Sequence, residues 1–268
     1  MNKITKLQNR AIIEIAGEDR KKFLQGLITN DVNKSSTENL LYSAMLNASG
    51  RFLYDFFIQE KDEKLLIECE AIRADEIVKK LNFYKLRSQV KISKNENLFV
   101  AQSFENIGFA DPRCKNLGQR IYLQNSAEKN FQIEENFKYH AMRIANKIPE
   151  GELDLFYEKS IILEFGFDEL NAIDYKKGCY VGQELTARTH YKGEIRKKLF
   201  HVEIHDSFGD EKISKGLEIT CGTESAGIIL SSVFYGSKCH ALALINISQD
   251  FHTKENLRAF DKKISVIS

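Results

Sequence analysis

Lys176-Lys177-Gly178-Cys179-Tyr180-Val181-Gly182-Gln183-Glu184-Leu185-Thr186-Ala187-Arg188 is the densest run of unusual residues in this 268-residue chain. Two glycines bracket a cysteine, and Lys177 stands two residues before it. Gly178 permits a positive φ or a close approach to another surface, and Gly182 frees the approach from the other side. Lys176, Lys177 and Arg188 favour the thiolate, the reactive form of cysteine. A helix beginning at Gln183 adds the positive end of its dipole. A small buried cysteine in a glycine-flanked turn is the competing reading, and spacing does not choose between the two. No His or Asp stands at a fixed spacing to complete a Cys–His pair, His190 being eleven residues on. From Arg188 to Lys198 five cations face Glu194 alone, a net +4 stretch that is either solvated surface or a seat for an anion.

The rest of the composition is even. Lys plus Arg number 39 against 38 Asp plus Glu, a formal charge of +1 that excludes a uniformly basic nucleic-acid binder. Five scattered cysteines (Cys69, Cys114, Cys179, Cys221 and Cys239) with no C-x-x-C pair read as free thiols and argue against a local zinc site, so no metal ligand is expected. No apolar run approaches the ~18–20 residues of a membrane span. The opening Met1-Asn2-Lys3-Ile4-Thr5-Lys6 lacks the apolar core of a secretory signal, and a cytoplasmic location is expected.

Along the chain, residues 11–16 read as a strand and residues 20–31 as a helix with Phe23, Leu24, Leu27 and Ile28 on one face. Strands at 40–46, 52–58 and 65–69 follow, the first two joined by the turn Asn47-Ala48-Ser49-Gly50. A helix carries Ala74, Ile77, Val78 and Leu81, and strands at 89–92 and 98–102 complete a β-α-β-β-β-α-β-β order. That order predicts an α+β unit with helices on one face of a largely antiparallel sheet. A third helix spans 134–146, where Tyr139 and Arg143 at i, i+4 read on spacing as a solvated pair. From Leu199 the period turns to alternation, predicting a small all-β module over 199–268 and an α+β region over 1–198.

Lys177 to Glu184 resembles the K-G-C-[YF]-x-G-Q-E signature of the YgfZ family. These are folate-binding proteins of iron–sulfur cluster assembly and repair, related to the glycine-cleavage T-protein, the aminomethyltransferase GcvT. Further blocks resemble the family in order: Phe23-Leu24-Gln25-Gly26 running on to Thr29-Asn30-Asp31-Val32, Ser49-Gly50-Arg51-Phe52, Asp111-Pro112-Arg113 with Leu117-Gly118-Gln119-Arg120, and Arg143 with Ile148-Pro149-Glu150-Gly151. The similarity spans most of residues 10–200, and the Pro-Glu-Gly continuation looks more like the family's mitochondrial branch. The resemblance implies a ring of ferredoxin-like α+β subdomains, a C-terminal β-barrel, and tetrahydrofolate in a central channel.

By the same resemblance Cys179 is the key thiol, with Lys177, Gly178, Gly182, Gln183, Glu184 and Arg188 supporting its turn. Arg10, Asn30, Asp31, Arg51, Asp55, Tyr139 and Arg143 are the implied folate-side residues. Four positions depart from the pattern: Arg10 stands where the family has an aromatic residue, Ser49 where its K-G-R block has Lys, Ala145 where some members carry Glu, and Lys147 where Gly is usual. The implied function is an accessory role in iron–sulfur cluster assembly or repair, in a monomer that meets assembly proteins or client apoproteins and no membrane. A folate-dependent aminomethyl or one-carbon transferase, with Asp55 as a candidate acid–base group, is the alternative. A non-catalytic scaffold with a vestigial folate site is a third.

Overall fold

The computed structural model describes residues 1–193, 195–206, 213–251 and 255–268. The chain opens with strands β1 (Lys3–Lys6) and β2 (Arg10–Ala16), helix α1 (Arg20–Gln25), and strands β3 (Leu41–Leu46), β4 (Phe52–Lys61) and β5 (Lys64–Glu70). Helix α2 (Ala74–Lys85) and strand β6 (Lys91–Asn95) follow. The first sheet has the order β3-β4-β5-β2-β6, antiparallel throughout. Both of its faces are buried. Leu41 and Met45 of β3 join an apolar cluster with Phe23, Leu24, Ile77 and Leu81 of the helices, while Tyr42, Ala44 and Leu46 join a second cluster. This is the period-two alternation of a strand.

The expected β-α-β-β-β-α-β-β order is present, but its last strand is in another sheet. Strand β7 (Leu98–Ser103) pairs with β1, and with β8 (Phe109–Ala110), β9 (Gln119–Gln124) and β10 (Gln132–Glu134) they form a second sheet, β10-β1-β7-β9-β8. Within it β1 and β10 run parallel, Lys3 opposite Gln132. Short strands like these are held by partners far along the chain, which local periodicity does not report. Two helices are also shorter than the pattern suggests. Helix α1 stops at Gln25 with Gly26 as its cap, and Asp31 then accepts from the Asn33 N–H to open a separate helical turn. Helix α3 (Phe137–Ala145) starts late because residues 132–134 are already in β10.

After α4 (Gly151–Asp154) and α5 (Gln183–Lys192) the chain enters a closed barrel. Its strands are β11 (Lys197–Ile204), β12 (Glu218–Cys221), β13 (Glu224–Tyr235), β14 (Lys238–Asn246), β15 (Leu257–Ala259) and β16 (Lys262–Val266), arranged β11-β14-β13-β12-β15-β16. Closure leaves no open edge. Among the described residues no helix is long and apolar enough to cross a membrane.

Between the two sheets lies a buried cluster of charge. Arg10 of β2 donates to Asp55 of β4 (2.9 Å) and Glu68 of β5 (2.8 Å). Arg120 of β9 reaches Asp111 (3.1 Å), Glu68 and the Tyr139 hydroxyl (2.8 Å). Arg113 donates to Asp111 (2.8 Å) and to the same hydroxyl (3.1 Å), which donates onward to Glu150 (3.0 Å). The Arg120 guanidinium lies 3.8 Å from the Phe57 ring centroid, with Arg113 at 4.8 Å. Burial opposes ionisation of Glu150, but Arg143, Arg120, Arg10 and Arg113 hold its carboxyl well below the usual range. Removing one member of such a set strands the others without water. Arg120→Leu is therefore expected to cost about 3–5 kcal/mol in urea unfolding, with a partial recovery in an Arg120→Leu, Asp111→Asn double variant.

Candidate functional site

The Cys179 turn is pressed between the β3–β4 hairpin and the start of α5. Gly182 caps α5 at φ +81°, and a Cβ there would strike the Asn47 carbonyl and Leu46. Gly50 of the hairpin turn, at φ +76°, faces the Gly182 carbonyl and Leu185 equally closely. These two positions require glycine. Gly178 does not: a Cβ there would meet nothing, and its φ is not positive. The expectation of a strained or closely packed Gly178 is corrected, since its missing side chain only leaves the flank of the thiol clear.

Lys177 is turned inward. Its ammonium donates to the carbonyls of Gln25 (2.7 Å), Ile28 (2.7 Å) and Asn30 (2.8 Å), which uses all three of its protons. Burial pulls its pKa down to about 8, against the attraction of Asp31 and Asp174. Lys177 thus holds the turn to the segment after α1 instead of facing the thiol. The Val181 N–H adds a bond to the Gly26 carbonyl (3.1 Å), and the Gln183 side chain accepts from the Tyr180 N–H (3.4 Å). Cys179 itself is exposed, while Cys69 and Cys239 are buried and Cys114 and Cys221 half-buried. Glu184 and Arg188 are exposed on α5, and Glu194 lies outside the described residues. His190 is not a partner of the thiol; its ring stacks on Tyr175, centroids 3.8 Å apart.

The implied folate-side residues divide into separate groups. Asn30 and Asp31 belong to the Cys179 region. The Asn30 side-chain amide donates to the carbonyls of Tyr42 (2.8 Å) and Asn171 (2.7 Å), and Asp31 accepts from Gln25 (3.0 Å). Arg51 stands apart, donating to the Lys159 carbonyl (3.0 Å). Arg10, Asp55 and Tyr139 meet in the buried cluster, where Asp55 also accepts from the Tyr42 hydroxyl (3.1 Å). Arg143 adjoins them, donating to Asp154 (2.7 Å) and Ser231 (2.9 Å). The solvated Tyr139–Arg143 pair is corrected: both side chains are fully buried. Arg113, Arg120 and Glu150, members of the family blocks but not of the expected site, complete the cluster with Glu68, which sequence reasoning missed. The signal available was charge interrupting apolar strands, as in Leu66-Ile67-Glu68-Cys69.

Several of these residues are already committed to partners within the chain. The Tyr139 ring is enclosed, the Asp55 carboxylate is held by Arg10 and Tyr42, and Arg143 is committed to Asp154. Of the set, Arg143 lines a cavity of about 690 Å³ with Phe137 and His140, and Arg10, whose Nη2 has no hydrogen-bond partner among the described residues, lines one of about 380 Å³ with Gln8, Asn9, Glu70, Ile72 and Leu153. Glu70 is its distinctive member. Burial and then the charge of Asp55 push its carboxyl up to about 7, so the folded chain keeps a proton that the unfolded chain releases near 4.5. Glu70 therefore favours folding most below pH 4.5 and loses that contribution as pH rises to 7. Glu70→Gln is expected to raise stability by about 1–3 kcal/mol at pH 8, a gain that vanishes below pH 4.5 in parallel denaturation curves.

Lys177→Met leaves three carbonyls without their donor. It should cost about 1–3 kcal/mol and speed the reaction of Cys179 with a thiol reagent as the turn loosens. An unchanged reaction rate would show that the turn does not depend on Lys177.

No family model matches the chain. It is 31% identical over 248 residues to the human iron–sulfur cluster assembly factor IBA57, mitochondrial, covering 80% of this chain and 70% of that protein. It is 32% identical over 229 residues to the IBA57 homologue of Neurospora crassa, covering 73% of this chain, which spans about half (52%) of that relative's length. Among solved structures, the glycine cleavage system aminomethyltransferase T of Bartonella henselae superposes with a TM-score of 0.75 at 11% identity, over 99% of this chain and 85% of that one. That likeness shows the fold. The expected cytoplasmic location is corrected by the relatives, which are named as mitochondrial and point to mitochondria. A missing secretory signal bears on secretion alone, because organelle import reads a different kind of segment.

Proposed function

This chain belongs to the family of the iron–sulfur cluster assembly factor IBA57, and from that premise we propose that it assists iron–sulfur cluster assembly through the Cys179 thiol. The observation that carries this reading is the contrast among the cysteines. Cys179 is exposed on a turn fixed by Lys177, Gly182 and Gly50, and the other four are wholly or partly buried. A cluster normally takes four ligands, so one thiol supplies one of them and an assembly partner or client the rest. In this reading the cluster is cargo. Asp55, Tyr139 and Arg143, which the resemblance assigned to folate, are engaged in the chain's own hydrogen bonds and ion pairs, which supports an assembly role proposed without tetrahydrofolate. In the aminomethyl-transfer alternative Asp55 was the candidate acid–base group, and its carboxylate is engaged by Arg10 and Tyr42.

Cys179→Ala changes an exposed side chain and is expected to alter stability by less than about 0.5 kcal/mol. It should nevertheless fail to restore iron–sulfur enzyme activities in cells lacking the factor. Full restoration would remove the thiol from the mechanism. In isothermal calorimetry, tetrahydrofolate should give no binding heat with the wild-type chain. Heat that Glu70→Gln abolishes would reinstate the folate reading.

A further inference from the structure

Helix α1 with the turn after it and the end of α2 form a groove that the proposed thiol role leaves unexplained. It encloses about 760 Å³, with Phe23, Leu27 and Tyr84 as its floor and Lys22, Leu86 and Arg87 at its rim. Phe23 and Leu27 are each only 8% exposed, so the floor is set into the fold. Beside it Phe83 and Leu86 are 79% and 88% exposed, at the end of a helix whose Ile77 and Leu81 are buried. Apolar side chains grouped in this way mark a surface that meets another molecule. Leu86 sits at φ +45°, ψ −110°, a backbone conformation that suits glycine far better than a branched side chain.

The charges lining the groove are Lys22 and Arg87 against Asp19, an excess of one cation. Arg20 and Lys21 are both paired with Glu60, but among the described residues Lys22, Lys85 and Arg87 have no carboxylate partner. The acidic member, Asp19, is occupied: its carboxylate accepts the Gln89 N–H at 2.7 Å. The groove is also joined to the site. Gln25 and Gly26, which lie between Phe23 and Leu27, are the residues whose carbonyls receive Lys177 and Val181 of the Cys179 turn.

We propose that this groove docks an acidic, amphipathic segment of the protein that shares a cluster with Cys179, its large apolar side chains entering over Phe23 and Leu27 and its carboxylates meeting Lys22 and Arg87. The proposal rests on the thiol reading above and adds the surface that brings the partner to it. A recessed apolar floor between cations suits a peptide that inserts side chains at alternate positions or successive turns. A membrane surface is flat and does not reach that floor.

The test is fluorescence anisotropy with the full chain and a labelled peptide of ~14 residues that places Leu and Phe between Asp and Glu. Wild type should bind it, more weakly at about 300 mM than at 50 mM salt. Leu86→Gly and Arg87→Glu should each weaken binding about fivefold or more. A peptide with Lys in place of the acidic residues should not bind. Leu86→Gly suits its backbone conformation better than the leucine, so a loss of binding with unchanged or raised melting temperature is a loss of contact. Cys179→Ala should bind the peptide as wild type does, which separates failure of the docking surface from failure of the thiol. Equal binding by the groove variants, or none by wild type, overturns the proposal. So does a dimer in sedimentation that Leu86→Gly dissolves, or capture of phosphatidylserine vesicles in preference to the peptide.

Discussion

The constraint on which the structure turns is the need of Arg10, Arg113 and Arg120 for carboxylates in a place without water. Charged groups enter a protein interior only when each finds counter-charge and hydrogen bonds. Here Asp55 and Glu68 come from the first sheet, Asp111 and Arg120 from the second, and Glu150 from the segment after α3. No one element can satisfy the set, so pairing fixes how the sheets face each other. The Phe57 ring beneath the guanidinium groups supplies a face that a hydrated ammonium would use less well.

The same pairing decides what the interior is available for. A channel for a flat heterocycle would need an aromatic face and uncommitted donors. Tyr139 instead spends its hydroxyl on two arginines and Glu150, and Arg10 spends two of its nitrogens on carboxylates, leaving its Nη2 without a partner among the described residues. At the surface, the Cys179 turn is held by backbone contacts that leave its thiol exposed. Lys177 saturates three carbonyls, and Gly50 and Gly182 allow two backbones to meet where any side chain would part them. Holding the backbone firmly while leaving the thiol free lets a partner approach the sulfur without first ordering the loop.

Much of this was legible in advance. The alternation in Leu41–Leu46 and Lys238–Asn246 and the helical stripe of Ala74, Ile77 and Leu81 report burial on one side of a local element, and such patterns survive in the final packing. The Gly-Cys-Tyr run pointed correctly to an exposed cysteine beside a helix start. Lys177 was expected both to hold the turn and to favour the thiolate, and its ammonium anchors the turn on carbonyls that lie about 150 residues earlier in the chain. Tyr139 and Arg143 read as a surface pair because i, i+4 spacing defines a helix face and does not say what that face meets.

By itself, then, the sequence determined the local elements, the glycine-bracketed thiol and the family. These depend on residues near one another in the chain, where spacing and side-chain chemistry act directly. Tertiary structure alone decided that β7 leaves the first sheet for β1, that Arg10, Asp55 and Tyr139 join one buried cluster, and that Phe23 and Leu27 floor a groove on the segment that receives the Cys179 turn. Each of those outcomes depends on which distant group removes a buried charge or an apolar face from water. That choice is made only when the whole chain has packed.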